Sequence, residues 1–469
     1  MGFGGAERLR GNIAVSIENE QAGKLYDALL SLPEGKVLSS PPKWLFFASF
    51  FSPEKKEGFP VLPVPPFLFC HGKPNVIIDG GIMRKIRTIG RISDIIRQEL
   101  PADRYEISLD EPLPEGALVR SASMHEMEVP ETLLCVARAG AGVNNIPVSD
   151  YTKRGIAVFN TPGANANAVA ELVVLGMLMS GRRVIDGIEW VRSLKGQEGI
   201  PALVEKGKAQ FVGPELHGKT LGVVGLGAIG VLVANAAATG LGMQVIGMDP
   251  YVTVPNALAL TRSVKRAETM EELLSKSDFI SIHVPLTDKT KGMIDEKRFS
   301  QMKPGAHLLN FSRAELVDAD ALRRALESQI VSTYITDFPT EALLEMKGVV
   351  CIPHLGASTP ESEENCAVMA AASIRNYLEF GTIFNSVNLP DISLGAPEGV
   401  RVLVIHENAP GLVAKISGII SSKNINIVNM VNKSRGDVAV TVLELSEKPE
   451  EEMLQRIREQ AARVRLIGV

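Results

Sequence analysis

The sequence predicts an α/β fold built on parallel sheets, followed at its C-terminal end by a smaller α+β module. Three observations support this. From residue 83 onward, short apolar runs bounded by Gly, Pro and Asp alternate with stretches of helical period, as expected for βα units. A glycine-rich motif at residues 225–230 lies between an apolar run and an Ala-rich stretch. The final part of the chain follows a different order of strands and helices.

The predicted elements of the α/β part follow in order along the chain. Apolar runs predict strands at 221–225, 244–248, 279–285, 307–312 and 349–353. Helical periodicity predicts helices at 270–275 and 320–327, and the longest one at 360–380. The longest helix begins with Ser358, Thr359, Pro360 and Glu361, which supply a cap, a proline in the first turn and a capping-box Glu.

A polar stretch marked by Pro and Gly at residues 388–399 is typical of a linker. After it the pattern predicts a strand at 400–405, a helix at 411–421, strands at 425–432 and 438–445, and a helix at 450–462. This order differs from the alternation before the linker. It therefore predicts a separate α+β module.

Composition and charge narrow the possible functions. The 469 residues suffice for about three domains. With 49 Lys and Arg against 54 Asp and Glu, the net charge of −5 gives no electrostatic reason to expect nucleic acid or an anionic membrane as a partner. The four cysteines lie far apart without a CxxC pair, which argues against a structural zinc site and a secreted disulfide framework and fits a reducing, cytoplasmic location. We expect no metal site.

The first 82 residues have an unusual composition, with 8 of the 16 Phe and 9 of the 28 Pro. Their apolar run at 44–51 is far shorter than the roughly 20 residues of a membrane helix. It also does not fit a signal peptide, which would begin at the N-terminus with a basic region before its apolar core. We expect residues 1–82 to be a poorly ordered extension of unknown role.

The glycine-rich motif has the context of a dinucleotide-binding turn. Gly225, Gly227 and Gly230 follow the apolar run 220–224, and the intervening Ala228 and Ile229 begin an Ala-rich helix. Asp249 ends the next apolar run, nineteen residues after the last glycine, where a carboxylate would bind the ribose hydroxyls. This spacing predicts NAD as the cofactor, in preference to NADP.

Three segments end predicted strands with polar residues, at 310–313, 337–341 and 353–359. Ligands of open α/β sheets bind beyond the carboxyl ends of the strands, so these segments can form one crevice. Transfer of a hydride from an alcohol needs a base such as His, a carboxylate to orient it and an Arg to hold an anionic substrate. On composition alone, a given His is more often structural than catalytic.

Several motifs give the chain a resemblance to the D-isomer-specific 2-hydroxyacid dehydrogenase family. They are the segments at 138–146, 159–165 with 169–172, 216–221 and 353–359. The resemblance covers residues 83–469 and is strongest to the branch that acts on phosphoglycerate and carries a C-terminal ACT domain. It implies a flavodoxin-like substrate domain (83–159 and 358–392), an inserted Rossmann-type NAD-binding domain (160–357) and an ACT domain (398–469).

The resemblance also implies roles for individual residues. Arg313 would bind the substrate carboxylate, His354 would transfer the proton and Glu341 would pair with His354. Substrate contacts would come from Arg120, Ser121, Arg138 and Gly140, and further cofactor contacts from Val284, Phe311, Ser312 and Asp337. Two departures from the family stand out: Asp337 is one place later than the usual aspartate, and only 13 positions separate Glu341 from His354.

The C-terminal module resembles an ACT domain through the segments at 406–412 and 424–427. In the family, paired ACT domains bind L-serine, and the matching residues here are His406, Asn408 and Asn426. An ACT domain that only dimerises is the alternative. The open edge of its sheet favours a homo-oligomer, either a dimer or a tetramer.

The resemblance implies NAD-dependent oxidation of D-3-phosphoglycerate to 3-phosphohydroxypyruvate, the first step of L-serine biosynthesis, with possible inhibition by serine. Two other functions stay open. One is another D-2-hydroxyacid dehydrogenase, such as a glyoxylate or hydroxypyruvate reductase, although Arg120, Arg138 and the ACT domain disfavour it. The other is a nonenzymatic NAD-sensing regulator.

Overall fold

A computed structural model describes residues 83–397 and 399–468, so the extension predicted at residues 1–82 lies outside the described residues.

The first sheet has five parallel strands. The strands are β1 Arg84–Ile89, β2 Tyr105–Ser108, β3 Gly116–Val119, β4 Cys135–Arg138 and β5 Ala157–Phe159. Their order in the sheet is β2-β1-β3-β4-β5. Helix α1 (Val148–Lys153) and a short 3₁₀ helix, Asp94–Gln98, lie between them.

The long helix α11 (Pro360–Phe380) packs on this first sheet although it is far away in sequence. Its Thr359 side chain accepts a hydrogen bond from Ser362 N, and Gly381 ends it with φ of 68°. Tyr377 of this helix meets Phe159 edge-on, with ring centroids 5.6 Å apart. The chain therefore leaves the first sheet after β5 and returns to it with α11.

The second sheet is formed by the intervening residues and has seven parallel strands. Its order is β12-β11-β10-β9-β6-β7-β8. The strands are β6 Thr220–Val224, β7 Gln244–Met248, β8 Lys265–Arg266, β9 Phe279–Ile282, β10 Ala306–Asn310, β11 Val331–Thr336 and β12 Val349–Cys351. The parallel order confirms the predicted α/β architecture.

Helices accompany the second sheet along the chain. They are α2 Ala166–Arg182, α3 Val184–Ser193, α4 Ile200–Gly207, α5 Ala228–Asn235, α6 Val254–Ala259, α7 Met270–Lys276, α8 Glu296–Ser300, α9 Ala319–Glu327 and α10 Glu341–Leu344. A π-helical turn, Ala236–Gly240, extends α5. Within the described residues, no helix is both long and apolar enough to cross a membrane.

The third sheet is antiparallel and forms the C-terminal module, which confirms the predicted α+β class. Its order is β14-β15-β13-β16, with strands β13 Val400–Glu407, β14 Ile427–Arg435, β15 Val438–Leu445 and β16 Arg463–Ile467. Its helices are α12 Leu412–Ser421 and α13 Glu451–Arg458. The sequence pattern missed β16 because it follows α13 after only a short turn.

The C-terminal module docks on the long helix α11. Leu403, Ile405 and Ile467 share a buried core with Ile374 and Tyr377, whereas the opposite face of the sheet packs on α12 and α13. Two buried arginines also donate hydrogen bonds to carbonyl groups at the C-terminal end of α11, Arg401 to Phe380 and Arg465 to Tyr377 and Leu378. The central strands β13 and β15 of the third sheet are therefore covered on both faces, whereas the edge strand β14 is mostly exposed.

Candidate active site

The carboxyl ends of five neighbouring strands of the second sheet lie at the same level. Backbone pairing places Val224 opposite Ile282, Ile282 opposite Asn310, Asn310 opposite Thr336 and Thr336 opposite Cys351. The segments that follow these residues contain the glycine turn and the polar residues predicted from the sequence. Because the strands are parallel, all of these segments emerge at one edge of the sheet.

The glycine turn between β6 and α5 has the shape that a pyrophosphate requires. Gly225 has φ of 93°, and a Cβ on it would lie 2.4 Å from the His283 carbonyl oxygen. A Cβ on Gly230 would lie 2.0 Å from the Gly225 carbonyl oxygen, so any side chain there would force helix and strand apart. At Gly227 no atom lies within 4 Å of a Cβ, which leaves room beside the start of the helix at Ala228 and Ile229.

Asp249 lies directly after β7, beside this turn. Its carboxylate accepts hydrogen bonds from Leu226 N at 2.9 Å and from Tyr251 N at 2.8 Å. These bonds fix an acidic group next to the glycine turn, where ribose hydroxyls need an acceptor. Together with the open space at Gly227, this arrangement fits a bound NAD.

The loop that contains Phe311, Ser312 and Arg313 is held by Asn310, which sequence reasoning did not single out. The fully buried Asn310 side chain donates to Arg313 O at 2.8 Å and to the Tyr334 hydroxyl at 3.1 Å, and it accepts from Ser312 N. Ser312 also donates to Ile282 O at 2.8 Å. The loop thus has a fixed path, and the Arg313 side chain is exposed at its end.

Val284 and Phe311 lie near the glycine turn along the same edge. A Cβ on Gly225 would lie 2.9 Å from a methyl carbon of Val284. Phe311 is buried against α2, since its ring lies 3.3 Å from a Cβ placed on Gly176. Val284 therefore lies beside the glycine turn and Phe311 packs on α2, while a cofactor contact by either residue stays a prediction.

Arginines from both domains gather around the loop at residues 140–142. Arg138 ends β4, and Arg120 and Ser121 follow β3, so they lie at the carboxyl edge of the first sheet. A Cβ on Gly142 would lie 3.3 Å from Arg138 Nη1 and 3.4 Å from Arg313 Nη2. Arg313, from the second sheet, and Arg138, from the first, thus both approach Gly142.

This arginine group carries excess positive charge. Burial lowers the pKa of Arg138, and the charges of Arg313 and Arg120 lower that pKa further. Within the described part of the chain, one carboxylate pairs with this group. It belongs to Glu363, in the first turn of α11, and it pairs with Arg120. Gly140 supports the loop by donating its N–H to Thr161 Oγ1 at 2.8 Å. A multiply charged anion would balance these guanidinium groups.

His354 lies in the loop after β12, at the same edge as Arg313. It has φ of 54°, and its exposed side chain meets the Phe338 ring edge-on at 5.0 Å. Glu341 is exposed in the first turn of α10, and none of the hydrogen bonds or ion pairs found among the described residues joins it to His354. The pairing of these two side chains therefore stays a prediction.

The carboxylate that does reach the histidine loop belongs to Asp337, directly after β11. It is buried and accepts hydrogen bonds from Leu355 N and Gly356 N, each at 2.7 Å. Burial raises the pKa of Asp337 above its usual range, although these N–H donors and the charge of His354 act in the opposite direction. A nicotinamide contact by Asp337 also stays a prediction.

The three predicted effector residues differ in accessibility. His406 is buried, with Nδ1 2.7 Å from Glu407 O and Nε2 2.8 Å from Thr441 Oγ1. Asn408 and Asn426 are exposed on the loops that flank α12. Asn408 donates from its side chain to Gly436 O at 3.1 Å. The two asparagines are thus available to a ligand, whereas His406 supports the sheet.

Comparison with known proteins places these features in a family. The family described as D-isomer specific 2-hydroxyacid dehydrogenase, NAD binding domain, matches residues 174–356, and the ACT domain family matches residues 400–462. A D-3-phosphoglycerate dehydrogenase of Haemophilus influenzae is 31% identical over 386 residues, which cover 78% of this chain and 88% of that protein. A putative D-3-phosphoglycerate dehydrogenase of Schizosaccharomyces pombe is 32% identical, covering 68% and 70%.

A solved structure supports the same assignment. The NAD⁺-bound 3-phosphoglycerate dehydrogenase of Entamoeba histolytica has a TM-score of 0.52 and 29% identity, and the match covers 66% of this chain and 99% of that one. The prediction of an NAD-dependent oxidoreductase is thereby confirmed. The chain belongs to the D-isomer-specific 2-hydroxyacid dehydrogenase family and carries a C-terminal ACT domain.

Proposed function

We propose that this dehydrogenase oxidises D-3-phosphoglycerate to 3-phosphohydroxypyruvate, the first step of L-serine biosynthesis. The observation that carries the proposal is the arginine group formed by Arg120, Arg138 and Arg313. A substrate with a carboxylate at one end and a phosphate at the other supplies two anionic groups to this cluster. A small acid without phosphate would leave part of the positive charge unbalanced.

In this proposal each residue has a defined task. Arg313 and Arg138 hold the carboxylate, and Arg120 with Ser121 binds the phosphate. His354 accepts the proton of the C2 hydroxyl group as the C2–H bond gives up its hydride and the C–O bond becomes a carbonyl. Glu341 stabilises the resulting imidazolium once the cleft has closed on the substrate. NAD, when bound at the glycine turn, supplies the hydride acceptor.

NADH formation, followed at 340 nm, tests this proposal. We expect kcat/KM for D-3-phosphoglycerate to exceed that for D-glycerate by about 100-fold, because the phosphate makes charge-assisted hydrogen bonds that D-glycerate lacks. Comparable values would instead support a glyoxylate or hydroxypyruvate reductase. Tight NADH binding without turnover of either substrate would support a nonenzymatic regulator.

We also propose that the ACT domain binds L-serine and lowers the activity of the enzyme. The exposed Asn408 and Asn426 offer amide donors and acceptors that suit an amino-acid zwitterion. Serine titration of the wild type and of the Asn408→Ala variant tests this. Inhibition that weakens in the variant supports the proposal, whereas a wild type that serine neither inhibits nor stabilises leaves the ACT domain an assembly role only.

A homo-oligomer, either a dimer or a tetramer, is the assembly that we propose. Strand β14 forms the outer edge of the third sheet and exposes Val428 and Met430, so a second copy could pair with it. Light scattering after size exclusion measures the assembly, and a monomer at all concentrations would exclude it. A cytoplasmic location is proposed because Cys135, Cys351 and Cys366, the cysteines in the described part of the chain, are free thiols.

A further inference from the structure

We propose that Asp337 is a positioning residue that clamps the loop of His354, a role separate from any contact with the nicotinamide. The proposal rests on the function of His354 as the proton-transferring group. Both carboxylate oxygens of Asp337 are used: Oδ1 accepts from Leu355 N and Oδ2 from Gly356 N. These are the two residues that directly follow the histidine.

The histidine loop needs such a clamp because its backbone is strained. His354 has φ of 54°, in the left-handed region that residues other than glycine seldom adopt. One hydrogen bond, from His354 N to Ile352 O at 2.9 Å, holds the residue on its N-terminal side. The Asp337 carboxylate holds the next two peptide units, so the strained conformation is fixed from both sides.

An aspartate suits this position better than an amide would. The two donors are neighbouring peptide N–H groups, and each needs an acceptor at 2.7 Å. A carboxylate offers two acceptor oxygens, whereas the NH₂ group of an asparagine would face one of the donors with another donor. The space is also closely fitted, since a Cβ on Gly356 would lie 3.0 Å from Asp337 Oδ2.

The position of Asp337 in the fold explains why it reaches this loop. It follows β11, which pairs with β12, and the histidine loop directly follows β12. The Asp337 carboxylate at the end of β11 therefore reaches the backbone that follows β12, at the carboxyl ends of the strands. Glu341, four residues later, lies on α10 and is exposed.

The Asp337→Asn variant tests the clamp by amide hydrogen exchange and by kinetics. We expect faster exchange of the Leu355 and Gly356 amides, because the variant lacks one acceptor. We also expect kcat to fall by about 10- to 100-fold, while the NADH dissociation constant stays within about threefold. Unchanged exchange at both amides would overturn the clamp, and so would a loss of NADH affinity with unchanged kcat, which would assign Asp337 to the cofactor.

Two further variants separate positioning from general stability. The first is the double variant Asp337→Asn with His354→Asn. If Asp337 acts through His354, the kcat of the double variant should lie within about twofold of the kcat of His354→Asn alone. A further 10- to 100-fold fall would overturn the proposal. The second is Asp278→Asn, a control at the opposite ends of the strands of this sheet, where the carboxylate accepts from Thr220 N at 2.8 Å and pairs with Lys303 at 3.0 Å. It should retain wild-type kcat, and a fall equal to that of Asp337→Asn would indicate a merely structural effect.

The exchange measurement also separates this inference from the proposed substrate. It needs no turnover and reports on the clamp even if D-3-phosphoglycerate is not oxidised. In that case the kinetic comparison uses whichever D-2-hydroxyacid the wild type oxidises. The kcat of each variant is then given relative to the kcat of the wild type. Failure of the substrate proposal therefore appears in the wild type, and failure of the clamp appears in the variants.

Discussion

Two groups of arginines in this molecule have the same side chain and opposite surroundings. The cleft arginines are Arg120, Arg138 and Arg313, and the docking arginines, which join the ACT domain to the rest of the chain, are Arg401 and Arg465. The docking arginines are almost fully buried, at 1% and 7% exposure, and Arg465 also stacks over the Tyr377 ring at 4.3 Å. The cleft arginines are half-buried or exposed.

The difference lies in their burial and in the charges around them, since arginines of both groups donate to backbone carbonyls. Arg465 donates to Tyr377 O at 3.0 Å and Leu378 O at 3.1 Å, which are carbonyl groups at the negative end of the helix dipole. In the docking group the charge of Arg401 is balanced by Glu444. In the cleft group Arg138 and Arg313 approach one another around Gly142, and among the described residues only Arg120 of this group pairs with a carboxylate. Guanidinium groups that repel each other in a cleft indicate ligand binding, whereas those that complete a helix end indicate structure.

The largest effect is expected at Arg313. Arg313→Gln removes the charge and the two-point grip on the substrate carboxylate, so we expect kcat/KM to fall by about 100- to 1000-fold. The free energy of unfolding should change by less than about 0.5 kcal/mol, because the side chain is exposed. Steady-state kinetics and urea unfolding measure the two quantities. A large loss of stability with retained kcat/KM would remove the distinction between the two groups.

Arg465 is expected to show the opposite behaviour. Arg465→Met keeps the apolar length of the side chain but leaves Leu378 O without its donor and Tyr377 O with Gly381 N alone, so we expect a loss of about 1–3 kcal/mol in the free energy of unfolding. Basal kcat/KM should stay within about twofold of wild type. Arg463→Met is the control: this side chain also donates to two carbonyls outside the ACT domain, Glu131 O at 2.9 Å and Arg154 O at 3.2 Å, but it is only half-buried, so its loss should cost less. A kcat/KM as low as that of Arg313→Gln would contradict the assignment.

The sequence could predict the cleft group better than the docking group, for a physical reason. Arg313 and His354 follow apolar runs, and the glycine turn lies between a strand and a helix, so local pattern places them at one edge of a parallel sheet. Arg401 and Arg465 are bonded to a helix that lies up to 88 residues away. Periodicity carries no information on such long-range contacts, and the docking of the ACT domain was therefore not predicted.

Asp337 and His406 show the same limit within the site. The sequence placed Asp337 at a strand end, but the target of its carboxylate depends on the path of the loop after the neighbouring strand. His406 matched a motif, yet its ring nitrogens contact Glu407 and Thr441 inside the fold. In both cases the residue type and position could be predicted, whereas its hydrogen-bond partner could not.

Glu363 offers a smaller test of the cleft group. Glu363→Gln removes the carboxylate that pairs with Arg120, so the positive potential around the substrate phosphate increases. We expect KM for D-3-phosphoglycerate to fall by about two- to fivefold, since an exposed ion pair contributes up to about 1 kcal/mol. The measurement is KM, with kcat as the internal reference. An increased KM would show that Glu363 orients Arg120 and does not compete with the phosphate.

Salt should affect the two groups differently, by a still smaller factor. Attraction between the accessible cleft arginines and a phosphorylated substrate is screened by added ions, so raising KCl from 50 to 200 mM should increase KM by about two- to threefold. Arg465 bonds to uncharged carbonyls in a buried interface, so its contribution to the free energy of unfolding should hardly change with salt. The stability difference between wild type and Arg465→Met, measured at both salt concentrations, provides this comparison. If that difference shrank with salt while KM stayed constant, long-range electrostatics would act at the docking surface and the cleft would bind its substrate by short-range contacts.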